Sequence, residues 1–203
     1  MEDHTNWDEM YPDAVEDLPP EAPKPKGKPV RLTIYVDANH AHDLVTRRSV
    51  TGIVLLLNNT PIRWVCKRQK TVETSTYGSE LVAARVATEL IMEMRYNLRM
   101  IGVPLDGPAM LLGDNTSVVL NTTVPSSVLK KKHSAIGYHR VREAIVAKIL
   151  RFAHIPSETN IADVLTKPLV GEKFYKIVKP LFFGVPKTVV KEKQTSRPQP
   201  DVA

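Results

Sequence analysis

The chemistry-bearing side chains of this 203-residue chain are acids, and four of them stand where regular patterns begin or end. Asp37 closes an apolar alternation, and Glu80 lies one turn into a long helical pattern. Asp114 follows a short apolar run, and Asp163 falls in the first turn of a late helical pattern with Asn160 as its expected cap. Taken singly, each has an ordinary explanation. Asp163 complements a helix N-terminus, Glu80 is an early-helix acid, and Asp114 beside Asn115 is turn chemistry. Together they suggest more, because carboxylates at the carboxyl ends of neighbouring strands and at helix starts can converge on one edge of a sheet. Converged carboxylates repel unless a cation joins them. The chain has no Cys/His cluster at ligand spacing, so the fitting ions are hard and oxygen-seeking, Mg²⁺ or Mn²⁺ rather than zinc.

Basic groups supply the second kind of chemistry. The formal charge is +6, and Arg47-Arg48, Lys67-Arg68-Gln69-Lys70 and Lys130-Lys131-Lys132-His133 are the densest clusters. An anionic partner, nucleic acid above all, fits that balance, and phosphate contacts by such residues set affinity and register rather than sequence choice. A solvated surface explains each cluster equally well. Ser75 and Thr76, at the expected start of the long helix, serve either as caps or as a phosphate seat. The lone thiol, Cys66, is expected to be buried and free. Trp64 and Tyr96 are expected in the core, and His154 is expected to pack within a strand.

The elements that must position these groups follow from periodicity. Leu32, Ile34 and Val36 alternate as a strand reaching Asp37, and two further strands, about 52–57 and 62–67, are joined by Asn58-Asn59-Thr60-Pro61. A long helix runs from Ser75 or Thr76 to about Met100 and ends at Gly102 and Pro104. A fourth strand (109–112), a small helix to about Leu120, a second substantial helix (134–147), a fifth strand (149–155) and a C-terminal helical region interrupted at Pro168 complete the order. Three hairpin strands followed by α/β alternation predict an α/β fold: a five-stranded mixed sheet, three antiparallel meander strands and then two parallel ones, flanked by helices. Composition assigns 1–29 to a disordered linker, first acidic and then rich in Pro and Lys, 30–186 to one folded domain, and 187–203 to a disordered tail. Neither a membrane-spanning run nor a signal-peptide layout is expected.

Four stretches carry a resemblance. Tyr35-Val36-Asp37-Ala38-Asn39-His40-Ala41, Thr46-Arg47-Arg48-Ser49-Val50-Thr51-Gly52, Lys70-Thr71-Val72-Glu73-Thr74-Ser75-Thr76 and Asn160-Ile161-Ala162-Asp163-Val164-Leu165-Thr166-Lys167-Pro168-Leu169 resemble the ribonuclease H module closing copia-type retrotransposon polyproteins. The likeness spans about Leu32 to Phe183. It implies a ribonuclease H-like fold and a metal-dependent endonuclease that hydrolyses the RNA strand of RNA/DNA hybrids during reverse transcription. It further implies that Asp37, Glu80, Asp114 and Asp163 are catalytic and hold two Mg²⁺ or Mn²⁺ ions, with Asp37 bridging them. Glu80 would lie near the RNA 2′-hydroxyl. Arg47, Arg48, Lys70, Ser75, Thr76, Lys131 and Lys132 are the candidate nucleic-acid contacts.

The resemblance also implies a reverse transcriptase upstream in a parent polyprotein and an intracellular place, in a cytoplasmic virus-like particle or the nucleus. A catalytically inactive remnant that binds nucleic acid without cutting is the alternative. A transposase or integrase core is disfavoured, because Glu80 lies on the helix after the third strand. One departure stands out: cellular enzymes of the family carry a histidine in the loop before the last aspartate, and Pro156-Ser157-Glu158-Thr159 has none.

Overall fold

The computed structural model describes residues 7–129 and 132–183. Lys131 and the whole of 187–203 therefore lie outside the described residues. Five strands form one mixed sheet in the order β3-β2-β1-β4-β5. They are β1 (Leu32–Asn39), β2 (Val50–Leu57), β3 (Thr60–Arg68), β4 (Ala109–Gly113) and β5 (Leu150–His154). The first three pair antiparallel, and β1–β4 and β4–β5 pair parallel, so the expected fold class holds. Asn58 and Asn59 take the β2–β3 turn with positive φ, the conformation that Asn tolerates best after Gly.

The helices are α1 (Trp7–Met10), α2 (Thr76–Met100), α3 (Thr116–Thr123), α4 (Ala135–Val146), α5 (Asp163–Thr166) and α6 (Gly171–Phe183). The Ser75 hydroxyl accepts from the Gly78 amide and so caps α2, as its place before the helical pattern predicts. One stripe of α2 (Leu81, Ala84, Ala87, Leu90, Ile91, Leu98) is buried with the inward residues of the strands (Ile34, Val36, Ile53, Leu55, Leu111) and with Val118, Val141 and Ala144 of α3 and α4. None of the helices is long and apolar enough to cross a membrane among the described residues.

Three side chains are not where periodicity puts them. Trp64 is 66% exposed, because β3 is an edge strand whose alternation turns Val65 to the core and Ile62, Trp64 and Cys66 to the thinly covered face. Cys66 is accordingly exposed, and its thiol donates to the Leu165 carbonyl. Tyr96 is 47% exposed on the outer side of α2.

Residues 7–16, which composition assigns to a linker, make specific long-range contacts. Glu16 bonds both Arg95 and Arg99 of α2. Fully buried Arg142 donates to the Tyr11 hydroxyl and lies 4.4 Å from the Trp7 ring centroid. A short acidic and aromatic segment cannot bury a core of its own, but arginines already fixed on α2 and α4 give it partners.

Candidate active site

Parallel pairing of β1 and β4 aligns Val36 with Gly113, and this register brings the next residues, Asp37 and Asp114, to the same edge of the sheet. The third aspartate arrives by a different route. Gly52, beside Asp37 in the ladder, leaves no room for a side chain: a Cβ there would stand 2.6 Å from Thr166 Cγ2 and 2.9 Å from the Ala162 carbonyl. Helix α5 thus rests directly on β2. Buried Asn160 fastens it, donating from Nδ2 to the Val36 carbonyl and accepting the Ala162 amide on Oδ1. Asn160 is not the α5 cap; it ties the segment to β1, and Ala162 occupies the cap position.

Oxygens of Asp37, Asp114 and Asp163 lie within 4.8 Å of one another. Asp37 and Asp163 are almost wholly buried, and Asp114 is half-buried. Glu80, buried on the first turns of α2, lines the same cleft with Asp37, Asp114, Asn39, His40, Thr76 and Lys167. Burial, reinforced by the charges of Asp37 and Asp114, pushes the Glu80 carboxyl up to about 9. Burial also raises Asp37, offset in part by the Thr166 hydroxyl and by Lys167.

The site includes residues that sequence reasoning did not single out. The Lys167 ammonium lies 3.0 Å from Asp37 Oδ1 and 2.7 Å from Asp163 Oδ1, and Lys173 lies 3.1 Å from Asp163 Oδ2. Thr166 donates its hydroxyl to Asp37 Oδ2, and Ser157 donates to Asp114 Oδ2 at 2.7 Å. Lys167 and Thr166 stand four and three residues after Asp163, on the same side of one helical turn, and that spacing was available as a signal. His154 ends β5 with an exposed ring whose Nε2 is 3.2 Å from the Asp114 carbonyl, so it borders the cleft instead of packing inside.

The expected nucleic-acid contacts spread over the surface around this edge. Arg47 is exposed, with positive φ, in the β1–β2 loop, where Arg48 is half-buried. That loop is folded around Asp43, which accepts the Val45 and Thr46 amides and bonds Arg68. Lys70 is exposed in a groove with Lys67, Arg68, Arg85 and His133, and Lys132 is exposed before α4. Thr76 borders the carboxylate cleft, whereas Ser75 is spent as the α2 cap.

The donor set fits a hard divalent cation. It is made of oxygen only, it is concentrated on buried carboxylates, and it already attracts an ammonium.

No family model matches the chain. It is 31% identical over 149 residues to the retrovirus-related Pol polyprotein from transposon RE1 of Arabidopsis thaliana, a match covering 73% of this chain and 10% of that protein. The corresponding protein from transposon RE2 is 30% identical over 144 residues, 71% of this chain and 10% of the relative. That from transposon TNT 1-94 of Nicotiana tabacum is 28% identical over 140 residues, 69% of this chain and 10% of the relative. The chain therefore spans about a tenth of the length of these curated relatives. Among solved structures, LC11 ribonuclease H1 in complex with an RNA/DNA hybrid has a TM-score of 0.53 at 18% identity, covering 67% of this chain and 94% of that one. Ribonuclease H1 from the halophilic archaeon Halobacterium salinarum has a TM-score of 0.51 at 18% identity, covering 67% and 94%.

Proposed function

From the premise that the chain has the ribonuclease H fold and is a homologue of a portion of retrovirus-related Pol polyproteins from transposons, we propose that it is a metal-dependent endonuclease for the RNA strand of RNA/DNA hybrids. Its place would be reverse transcription of a retroelement, inside the cell, in a virus-like particle or the nucleus, with a reverse transcriptase as its polyprotein neighbour. The observation that carries this reading is the convergence of Asp37, Asp114 and Asp163 beside buried Glu80 at one open edge of the sheet.

Asp37, Glu80, Asp114 and Asp163 would hold two Mg²⁺ or Mn²⁺ ions, which when bound supply an activated water and charge neutralisation at the scissile phosphate. The residues of the chain do the rest. Asp37, whose charge is felt by Glu80 and which itself feels Asp163, would be the carboxylate shared between them. Ser157 and Thr166 fix the orientation of Asp114 and Asp37 by donating to one oxygen of each. Thr76 and Asn39 border the cleft where backbone and ribose would lie. Arg47, Arg48, Lys70 and Lys132 would hold phosphates on either side, with the 2′-hydroxyl next to Glu80 selecting RNA. Hydrolysis would leave a 3′-hydroxyl and a 5′-phosphate.

The test is cleavage of an end-labelled RNA/DNA hybrid by the purified chain in Mg²⁺ and in Mn²⁺, with single-stranded RNA and Asp37→Asn protein as controls. Cutting confined to the hybrid and abolished in D37N is the expected result. Binding of hybrid without cutting in either metal overturns the enzymatic reading in favour of an inactive remnant.

A further inference from the structure

Lys167 occupies the point where an ion shared by Asp37 and Asp163 would sit. Its ammonium bridges one oxygen from each, at 3.0 and 2.7 Å. The remaining oxygens of these two aspartates are engaged as well, Asp37 Oδ2 by the Thr166 hydroxyl and Asp163 Oδ2 by Lys173. A divalent ion at about 2.0–2.1 Å from the same two oxygens would fall within the space the ammonium fills. Both cannot stay there. Two carboxylates with side chains only 1% exposed would repel strongly if left uncompensated, so the ammonium explains how the edge stays assembled without metal.

Lys167 is suited to leaving. Its side chain is 36% exposed, its stem is flexible, and an ammonium is readily rehydrated. Lys173, 37% exposed, holds only the outer oxygen of Asp163 and does not bridge.

We infer that Lys167 is a tethered counter-ion that holds the Asp37–Asp163 pair in the metal-free protein and is displaced when a divalent ion binds, so that it competes with the metal for the site. The inference rests on the reading of this edge as a metal site. It predicts an exchange of one cation for another: the fold is kept intact before metal arrives, and the affinity for metal is lower than four acids alone would give.

The experiment is calorimetric titration of Mg²⁺ and of Mn²⁺ into the full chain, wild type and Lys167→Met, with thermal unfolding of both in EDTA and in saturating Mg²⁺. Removing a positive charge this close to the ion should tighten metal binding by at least about tenfold. The same variant should unfold several degrees lower in EDTA yet close to wild type in Mg²⁺. Lys167→Arg, which keeps the charge, should bind metal as wild type does. If K167M does not fold in either condition, Lys167→Gln is measured in its place. Metal affinity unchanged or weakened in the uncharged variant, with wild type binding normally, overturns the inference and leaves the metal site standing. Failure of wild type to bind either metal overturns both.

Discussion

At the scale of single residues, the edge is organised by opposing charge requirements. Glu80 gains no positive partner close enough to offset its burial, so without metal its folded state holds a proton that the unfolded chain releases near 4.5. The sign follows from that difference. Between pH about 4.5 and about 9 the folded state binds more protons than the unfolded one, so stability present at low pH is lost as pH rises through the folded value. Urea midpoints in EDTA should therefore fall from pH 5 to pH 9. Glu80→Gln should flatten this slope, and a slope unchanged in E80Q would rule out Glu80 as its source. Saturating Mg²⁺ should also flatten it, because a bound cation favours the ionised form. The four acids stood out as a set because they fall where regular patterns begin or end, but taken singly each had an ordinary explanation, and their joint role came from the resemblance. Ser157 did not stand out, because a serine in a polar loop has no distinguishing sequence context until the fold shows what lies across from it; Lys167 and Thr166 carried only their spacing after Asp163.

At the scale of elements, the delivery of Asp163 depends on how closely α5 approaches the sheet. Gly52 permits that approach, and a side chain there meets the Ala162 carbonyl and the Thr166 methyl at distances that backbone cannot yield cheaply. Gly52→Ala should cost about 1–3 kcal/mol as an overpacked contact and should weaken Mg²⁺ binding by moving Asp163 and Thr166 away from Asp37. Chemical denaturation and metal titration of the same protein check the two halves separately. Stability loss with unchanged metal affinity would show that α5 adjusts without disturbing the acids. Strand and helix bounds in the body were readable to within a few residues, because β1, β2 and α2 combine strong periodicity with clear start and stop residues. The exposure of Trp64 and Cys66 was not readable. Alternation identifies two faces of β3, but only the strand order shows that β3 is an edge and that one face is sparsely covered.

At the scale of the whole molecule, the body is held from two directions that composition did not reveal. The C-terminal segment closes over the sheet edge, and residues 7–16 lie against α2 and α4, bonding buried Arg95 and Arg142 and half-buried Arg99. Burial would raise the Glu16 carboxyl, yet the bonds and charges of Arg95 and Arg99 prevail and lower it. Its contribution is thus present above pH about 4.5 and fades as pH falls through the lower folded value. Glu16→Gln should destabilise the chain at neutral pH by about 1–3 kcal/mol, since it removes the charge that pairs with Arg95 and Arg99 and replaces one of the two acceptor oxygens by an NH2 donor facing their guanidinium groups. Equilibrium unfolding at pH 7 and at pH 2, far below the unfolded value, measures both the loss and its disappearance in acid. A loss of equal size at the two pH values would place the effect elsewhere than in the ion pair.

Four-residue α5 is far too short to persist away from the surface it rests on. The last carboxylate is therefore a property of docking, while the sheet and the basic surface around it are properties of the body. A chain interrupted before Asn160 would keep the strands, α2 and the basic groups of the body, but without Asp163, Lys167 and Lys173. If the proposed function holds, such a product would bind hybrid without cutting it, so damage at one short joint would turn an eraser of template into its guardian.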